Sequence, residues 1–178
     1  EQSALLHDIG KIDAIYTEIL KKPASLSSEE RSIIESHVTK GVELLETLSS
    51  VPIAVILDVR HHHEREDGKG YPDGLLSHQI PIGAKIIKVS DAIDAMLSDR
   101  PYRKALDLAT VRDELRTYAG TQFDRQVVEA IIATDVLERH RDSVLDDRTS
   151  LTTEESDDAG LEAEVSPPAP AAKAHPLI

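Results

Sequence analysis

Apolar residues recur along most of this chain at intervals of three and four, the spacing that gathers them on one face of an α-helix. Ile33, Ile34, His37, Gly41, Leu44, Leu45 and Leu48 follow that rhythm. Ser27 precedes them with Glu30 three residues on, a pairing in which each side chain satisfies a free amide at a helix start. Pro52 stands where a first helical turn accepts proline, and Ile53, Ile56, Leu57 and Arg60 follow it. Pro81 opens a further segment with Ala84, Ile87, Asp91 and Ala95 on one face. Ile82, Ile86, Val89, Ile93 and Met96 occupy another, and a helix apolar on several sides is expected to be buried. Asp107 predicts a cap for a helix through Tyr118, and Asp124 for one through Leu137. No segment sustains a period of two, so the fold is predicted to be all-α.

Two stretches depart from this pattern. Residues 65–80 contain Asp67-Gly68, Gly70, Tyr71-Pro72 and Asp73-Gly74, turn signals dense enough to predict a shaped, ordered loop of the kind that carries function. From residue 141 onward, nine acidic side chains face three basic ones, and Pro167, Pro168, Pro170 and Pro176 stand among alanines. That composition predicts a disordered tail over 141–178 and a folded domain over 1–140. The tail carries six of the thirteen net negative charges. A chain of 178 residues suffices for one domain with a sizeable core. Its acidity argues against bulk nucleic-acid binding, while leaving room for a small phosphate ligand held by a few local cations. There is no cysteine, which excludes disulfides and thiolate metal ligands and accords with a reducing compartment. No apolar run approaches the length of a membrane span. The chain opens on Glu1, almost directly before His7-Asp8, and is read as a piece of a longer protein that begins inside its first helix.

The candidate chemistry lies in imidazoles and carboxylates embedded in apolar sequence. His7 and Asp8 follow Ala4-Leu5-Leu6, His37 interrupts an apolar stripe, His62 and His63 end the run from Val51 to Val59, and Asp91 lies between Ile87 and Ala95. Each has a plain alternative: a helix-end ion pair for His7-Asp8, a hydrogen-bonded core histidine for His37, and pairing of Asp91 with Arg100 or Lys88. Together they are the ligand types that hold divalent and transition metals, and a shared cation would offset the cost of burying them. Gly41, one turn beyond His37, makes room for a cation or a backbone. Apolar spacing from Val55 and Val59 turns His62 and His63 inward, leaving His61 exposed or behind the ligands. Lys11, three residues beyond Asp8, can lean over that carboxylate. Tyr71-Pro72 reads as a rigid turn or a substrate contact. Arg100, Arg103 and Lys104 read as a solvated helix end or a phosphate site.

From Leu5 to about Ala130 the chain resembles the HD-GYP domain, a branch of the HD superfamily of metal-dependent phosphohydrolases. The resemblance rests on LLHDIGKI (5–12), EERSIIESHVTKGVELL (29–45), HHEREDGKGYPDGL (62–75), IPIGAKIIKVSDAIDAMLSDRPYRKAL (80–106) and GTQFD (120–124). It implies a helical HD bundle and metal ligands at His7, Asp8, His37, His62, His63 and Asp91, with Lys11 beside the reacting groups. Phosphate-binding roles for Arg100 and Arg103 and a substrate-side role for Tyr71 follow from the same match. The implied reaction is hydrolysis of cyclic di-GMP to pGpG or GMP in bacterial signalling, with two or three divalent metal ions, iron or manganese. Implied partners are diguanylate cyclase domains, met through the Gly70-Tyr71-Pro72 loop, and an upstream sensor or receiver domain, all in the cytoplasm. The alternatives are a module that binds cyclic di-GMP or a partner without turnover, and a hydrolase of another cyclic dinucleotide. Family members carry a further ligand histidine upstream of the HD motif, so this fragment is expected to be impaired relative to its parent. Glu66 and Arg125 stand where the family commonly has an aromatic residue and proline.

Overall fold

A computed structural model describes residues 1–22, 25–99 and 103–154. Every regular element among them is helical: α1 (Gln2–Leu6), a 3₁₀ turn (Ile9–Lys11), α2 (Ala14–Leu20), α3 (Ser28–Glu35), α4 (His37–Glu46) and α5 (Ile53–His61). There follow a second 3₁₀ turn (Ser77–Gln79), α6 (Ile82–Leu97), α7 (Leu108–Tyr118), α8 (Arg125–Ile132) and α9 (Val136–Glu154). The all-α expectation therefore holds. Ser27 caps α3 reciprocally with Glu30, and Asp107 and Asp124 cap α7 and α8 through backbone amides.

Three apolar clusters hold the helices together. Tyr16, Ile19 and Ile34 join α2 to α3, and Val42, Leu45, Val55, Ile56 and Val59 join α4 to α5. The largest, which includes Val89, Ile93, Met96, Val111, Leu115, Phe123, Val128 and Leu137, joins α6 to α7, α8 and α9. α6 thus ties the carboxyl-terminal helices to the α4–α5 layer, which carries the histidines.

The structure departs from the expected pattern in three boundaries and in the burial of one helix. The helix expected from Ser27 through Leu48 divides at Ser36, whose hydroxyl donates to the Ile33 carbonyl at 2.7 Å and meets the Tyr16 hydroxyl at 3.0 Å. A serine bonded to its own backbone competes with helix continuation. The helix expected through Leu137 stops at Ile132, where Thr134 Oγ1 takes the carbonyls of Ala130 and Ile131. α9 runs to Glu154, past the domain end expected at residue 140; Leu137, fully buried, anchors its first turn. The rest of the expected tail lies outside the described residues. Finally, α6 is not buried all round: Ser90 and Asp94 continue an exposed stripe that begins at Ile82 and Ile86. Ile82 and Ile86 are exposed because the first turns pack through Ala84 and Ile87, and Gly83 lies directly against the Asp58 carboxylate.

Candidate metal centre

The two ends of the α4–α5 layer and the first 3₁₀ turn converge on one point. Gly10, in the 3₁₀ turn, lies so close to α4 that an added Cβ would stand 2.0 Å from the His37 carbonyl oxygen and 2.7 Å from the Gly41 amide nitrogen. It is the missing side chain of Gly10 that permits this approach, Gly41 facing the Gly10 backbone across the contact, and the approach delivers Asp8 to His37. His62 and His63 arrive from the end of α5. Asp8, His37, His62 and His63 each offer a ligand atom, all within 4.8 Å of one another.

The hydrogen bonds show what these atoms can do. His37 Nδ1 donates to the Ile34 carbonyl at 2.6 Å, and His62 Nδ1 donates to the Val59 carbonyl at 2.7 Å. A neutral imidazole with its proton on Nδ1 presents a lone pair at Nε2. The two Nε2 atoms face each other at 3.3 Å, and His37 Nε2 lies 3.4 Å from Asp8 Oδ1. With both protons committed to backbone carbonyls, the short Nε2–Nε2 approach is a meeting of two lone pairs rather than a hydrogen bond. Asp8 Oδ1 adds a third acceptor and accepts no hydrogen bond, although Lys11 Nζ lies 2.8 Å away. His63 Nε2 is buried with no hydrogen-bond partner. Converging acceptors with no donor between them repel one another unless a cation joins them, and imidazole with carboxylate suits iron, manganese or zinc. The donor set therefore fits a divalent metal ion.

Burial tunes the same groups. His37 and His62 are completely enclosed and His63 nearly so. Desolvation lowers the pKa of all three, that of His62 to about 3, so the imidazoles stand neutral and ready as ligands near pH 7. For Asp8, burial pushes upward, but the Lys11 ammonium, its hydrogen bond, His7 and His37 prevail and hold the carboxyl below its ordinary value. A histidine pKa depressed in the folded state means that the unfolded chain binds more protons below pH 6.5, so stability falls on acidification. Metal-free protein should lose on the order of 2 kcal/mol through His62 between pH 6.5 and pH 5. Urea midpoints across that range should fall for the wild type and fall less for His62→Gln; parallel slopes would contradict the burial account.

The remaining expected residues take distinct places. His7 lies beside the cluster: its Nε2 is 3.5 Å from Asp8 Oδ2, its ring is 5.1 Å from that of His62, and its Nδ1 donates to the Ala4 carbonyl. It is not among the four convergent ligand groups, and neither is Asp91. Asp91 lies on α6 with its pKa raised by burial and by the Asp8 carboxylate, which puts it within electrostatic reach of the cluster. Lys88 offsets part of that rise through its charge, and Asp91 in turn raises the pKa of Lys88. Lys11 bonds Asp8 Oδ2 at 2.9 Å. Tyr71 stacks on His63 with centroids 4.8 Å apart and planes 17° apart, and its buried hydroxyl has no partner. Arg103 donates to the carbonyls of Ala95, Met96 and Lys104, where the end of α6 leaves acceptors free. Arg100 lies outside the described residues.

Three groups were missed or left open by sequence reasoning. Of the two places left open for His61, exposed or behind the ligands, the structure rules out exposure: the residue is buried, and its Nε2 meets Asp73 Oδ2 at 3.0 Å. Glu64, adjacent to the histidine pair, is buried and receives three loop amides. Lys88 lies one turn before Asp91 on α6; burial lowers its pKa to about 8 despite the Asp91 carboxylate. The signal for Glu64 and His61 was their position in the histidine run, beside a loop rich in turn residues.

An enclosed set of converging imidazoles and a carboxylate on a helical scaffold defines a metal-binding helical domain of the HD type. Residues 1–127 match the HD domain family, and the chain belongs to that family, with the Gly70-Tyr71-Pro72 signature of its HD-GYP branch intact. It is 40% identical over 134 residues to the cyclic di-GMP phosphodiesterase response regulator RpfG of Xanthomonas campestris, covering 74% of this chain and 35% of that protein. It is 40% identical over 146 residues to a cyclic di-GMP phosphodiesterase of Thermotoga maritima, covering 79% and 39%. A 3'3'-cGAMP-specific phosphodiesterase 2 of Vibrio cholerae is 35% identical over 147 residues, covering 82% and 27%. The chain thus spans well under half the length of these relatives.

Proposed function

We propose that this domain hydrolyses a cyclic dinucleotide, cyclic di-GMP, at a centre holding two or three divalent metal ions, iron or manganese. The carrying observation is the convergence of His37 Nε2, His62 Nε2 and Asp8 Oδ1 with no proton between them. Divalent cations held there supply acidity to water and polarise the non-bridging oxygens of a phosphodiester. His7 and Asp91, beside the four convergent groups, are the proposed further ligands, since a second cation needs more donors than four. In the reaction water attacks phosphorus, the bond from phosphorus to a 3'-oxygen breaks, and that oxygen leaves with a proton.

The chain's own residues bind and orient. Asp8, its charge held by Lys11, orients the attacking water, and the Lys11 ammonium faces the incoming negative charge. The Tyr71 hydroxyl is an enclosed donor without an acceptor, suited to a phosphate or base oxygen. Arg100 and Arg103 are the proposed phosphate contacts of the family; for Arg103 this requires exchange of carbonyl acceptors at the end of α6 for phosphate oxygens. The setting is bacterial signalling in the cytoplasm, under an upstream sensor or receiver domain, with diguanylate cyclase domains docking on the Gly70-Tyr71-Pro72 loop. No described helix is long and apolar enough to cross a membrane.

The test is turnover of cyclic di-GMP against 3'3'-cGAMP by anaerobically purified protein reconstituted with iron or manganese. Linear pGpG or GMP should form faster from cyclic di-GMP. Faster turnover of 3'3'-cGAMP would move the reading to the substrate named for the Vibrio relative, and binding without turnover of either would overturn it.

A further inference from the structure

Glu64 is a carboxylate 2% exposed, yet it is no part of the converging ligand set. Its Oε1 accepts the amides of Asp73 at 2.7 Å and Gly74 at 3.0 Å, and its Oε2 accepts that of Leu75 at 2.9 Å. A carboxylate offers four lone-pair sites, and three backbone donors at these lengths make it a strong anchor for a loop. The other flank of the loop is tied to the same residue by sterics. A Cβ on Gly70 would stand 2.4 Å from Glu64 Cα and 2.5 Å from the Arg65 nitrogen, so the chain runs directly across the Glu64 backbone. Tyr71 lies between these two fixed points, and its ring stacks on His63, the residue that precedes Glu64. Asp73 closes the arrangement by bonding Arg60 at 2.7 and 2.8 Å and His61 at 3.0 Å. Gly68 and Gly74, with φ of +71° and +64°, supply the left-handed turns that fold the loop back on itself.

We infer that Glu64 is a positioning residue, holding the 70–75 loop so that Tyr71 forms a fixed wall against His63 on the substrate side of the metal centre. Stacked on one flank and tied on both sides of its backbone, Tyr71 is kept in one orientation before ligand arrives. Preorganisation of this kind reduces the ordering cost of binding. The inference deepens the proposed hydrolase reading and rests on it for the word substrate, but the placement of Tyr71 is testable without turnover.

The experiment compares wild type, Glu64→Gln and Glu64→Ala, using ring-labelled tyrosine in the Zn²⁺-loaded protein. The chain has four tyrosines, so Tyr71 is assigned with Tyr71→Phe. Glutamine keeps the volume but turns one acceptor into a donor facing a backbone amide, so Glu64→Gln reports even if Glu64→Ala does not fold. The Tyr71 resonance should move toward that of free tyrosine in Glu64→Gln, with Zn²⁺ affinity unchanged within about threefold. KM for cyclic di-GMP should rise about tenfold with a smaller change in kcat, the scale of loss seen when supporting partners are removed. A folded Glu64→Gln with an unmoved Tyr71 resonance would overturn the inference, as would loss of Zn²⁺ affinity in parallel with turnover. If the wild type turns over no cyclic dinucleotide, the hydrolase reading fails, and the tyrosine resonance still decides the role of Glu64.

Discussion

Asp8→Ala should lower cyclic di-GMP hydrolysis by on the order of 10³-fold, while Lys11→Ala should cost about 10- to 100-fold. The difference follows from what each side chain touches. Asp8 Oδ1 is one of the converging acceptors, 3.4 Å from His37 Nε2 and 3.9 Å from His62 Nε2. Removing it deletes the one carboxylate of the converging set and leaves the imidazoles of His37, His62 and His63 to hold a cation alone. Lys11 touches the carboxylate rather than the histidines, so its loss frees Asp8 without removing a donor atom. Steady-state turnover with the metal kept in excess checks the comparison. Equal rates for wild type and Asp8→Ala would remove Asp8 from the mechanism. A greater loss for Lys11→Ala than for Asp8→Ala would reverse the assigned roles.

Gly10→Ala should destabilise the fold by about 3 kcal/mol and weaken the metal centre, whereas Gly41→Ala should be far milder. At Gly10 the new methyl would meet backbone on every side: the His37 carbonyl oxygen at 2.0 Å, the Gly41 nitrogen at 2.7 Å and the His37 carbonyl carbon at 2.9 Å. No rotamer relieves a clash between two backbones, so the 3₁₀ turn must move away from α4 and carry Asp8 from His37. At Gly41 the nearest atoms lie at 3.4 to 3.5 Å, ordinary contact that includes the flexible ends of Ile9 and Val59. Urea denaturation of the two variants, with metal affinity measured alongside, separates these cases. Equal stabilities would mean that Gly10 and α4 are farther apart than described.

Much of this was legible in the sequence, for reasons that vary by residue. The helical spacing of apolar positions, the Ser27–Glu30 cap and the Asp107 cap act within one or two turns, so local sequence contains them. His62 and His63 were read as inward because the apolar spacing from Val55 and Val59 continues through them, and both are buried. The same spacing leaves His61 either exposed or behind the ligands. Its environment is set instead by Asp73, twelve residues on across an irregular loop, which periodicity does not register. Gly41 was open between a cation and a backbone until the tertiary approach of Gly10 decided it. Lys88 belongs to the same group: burial lowers its pKa, and that burial comes from tertiary packing rather than from local sequence. Arg103 takes carbonyls at the end of α6, a pairing that depends on the return of the chain to that helix end and that its charge alone does not specify. The stop of α8 at Ile132 turns on the Thr134 hydroxyl, a competition between side chain and backbone that apolar spacing does not encode.

The most direct measurement is Mn²⁺ binding to the purified chain at pH 7.5, followed by electron paramagnetic resonance, for wild type, His37→Ala and His62→Ala. The account predicts tight binding by the wild type, with affinity reduced at least tenfold in each variant while the helical content stays unchanged. Wild type that binds no Mn²⁺ tightly, or variants that bind it as well as wild type does, would contradict a cation shared by these imidazoles.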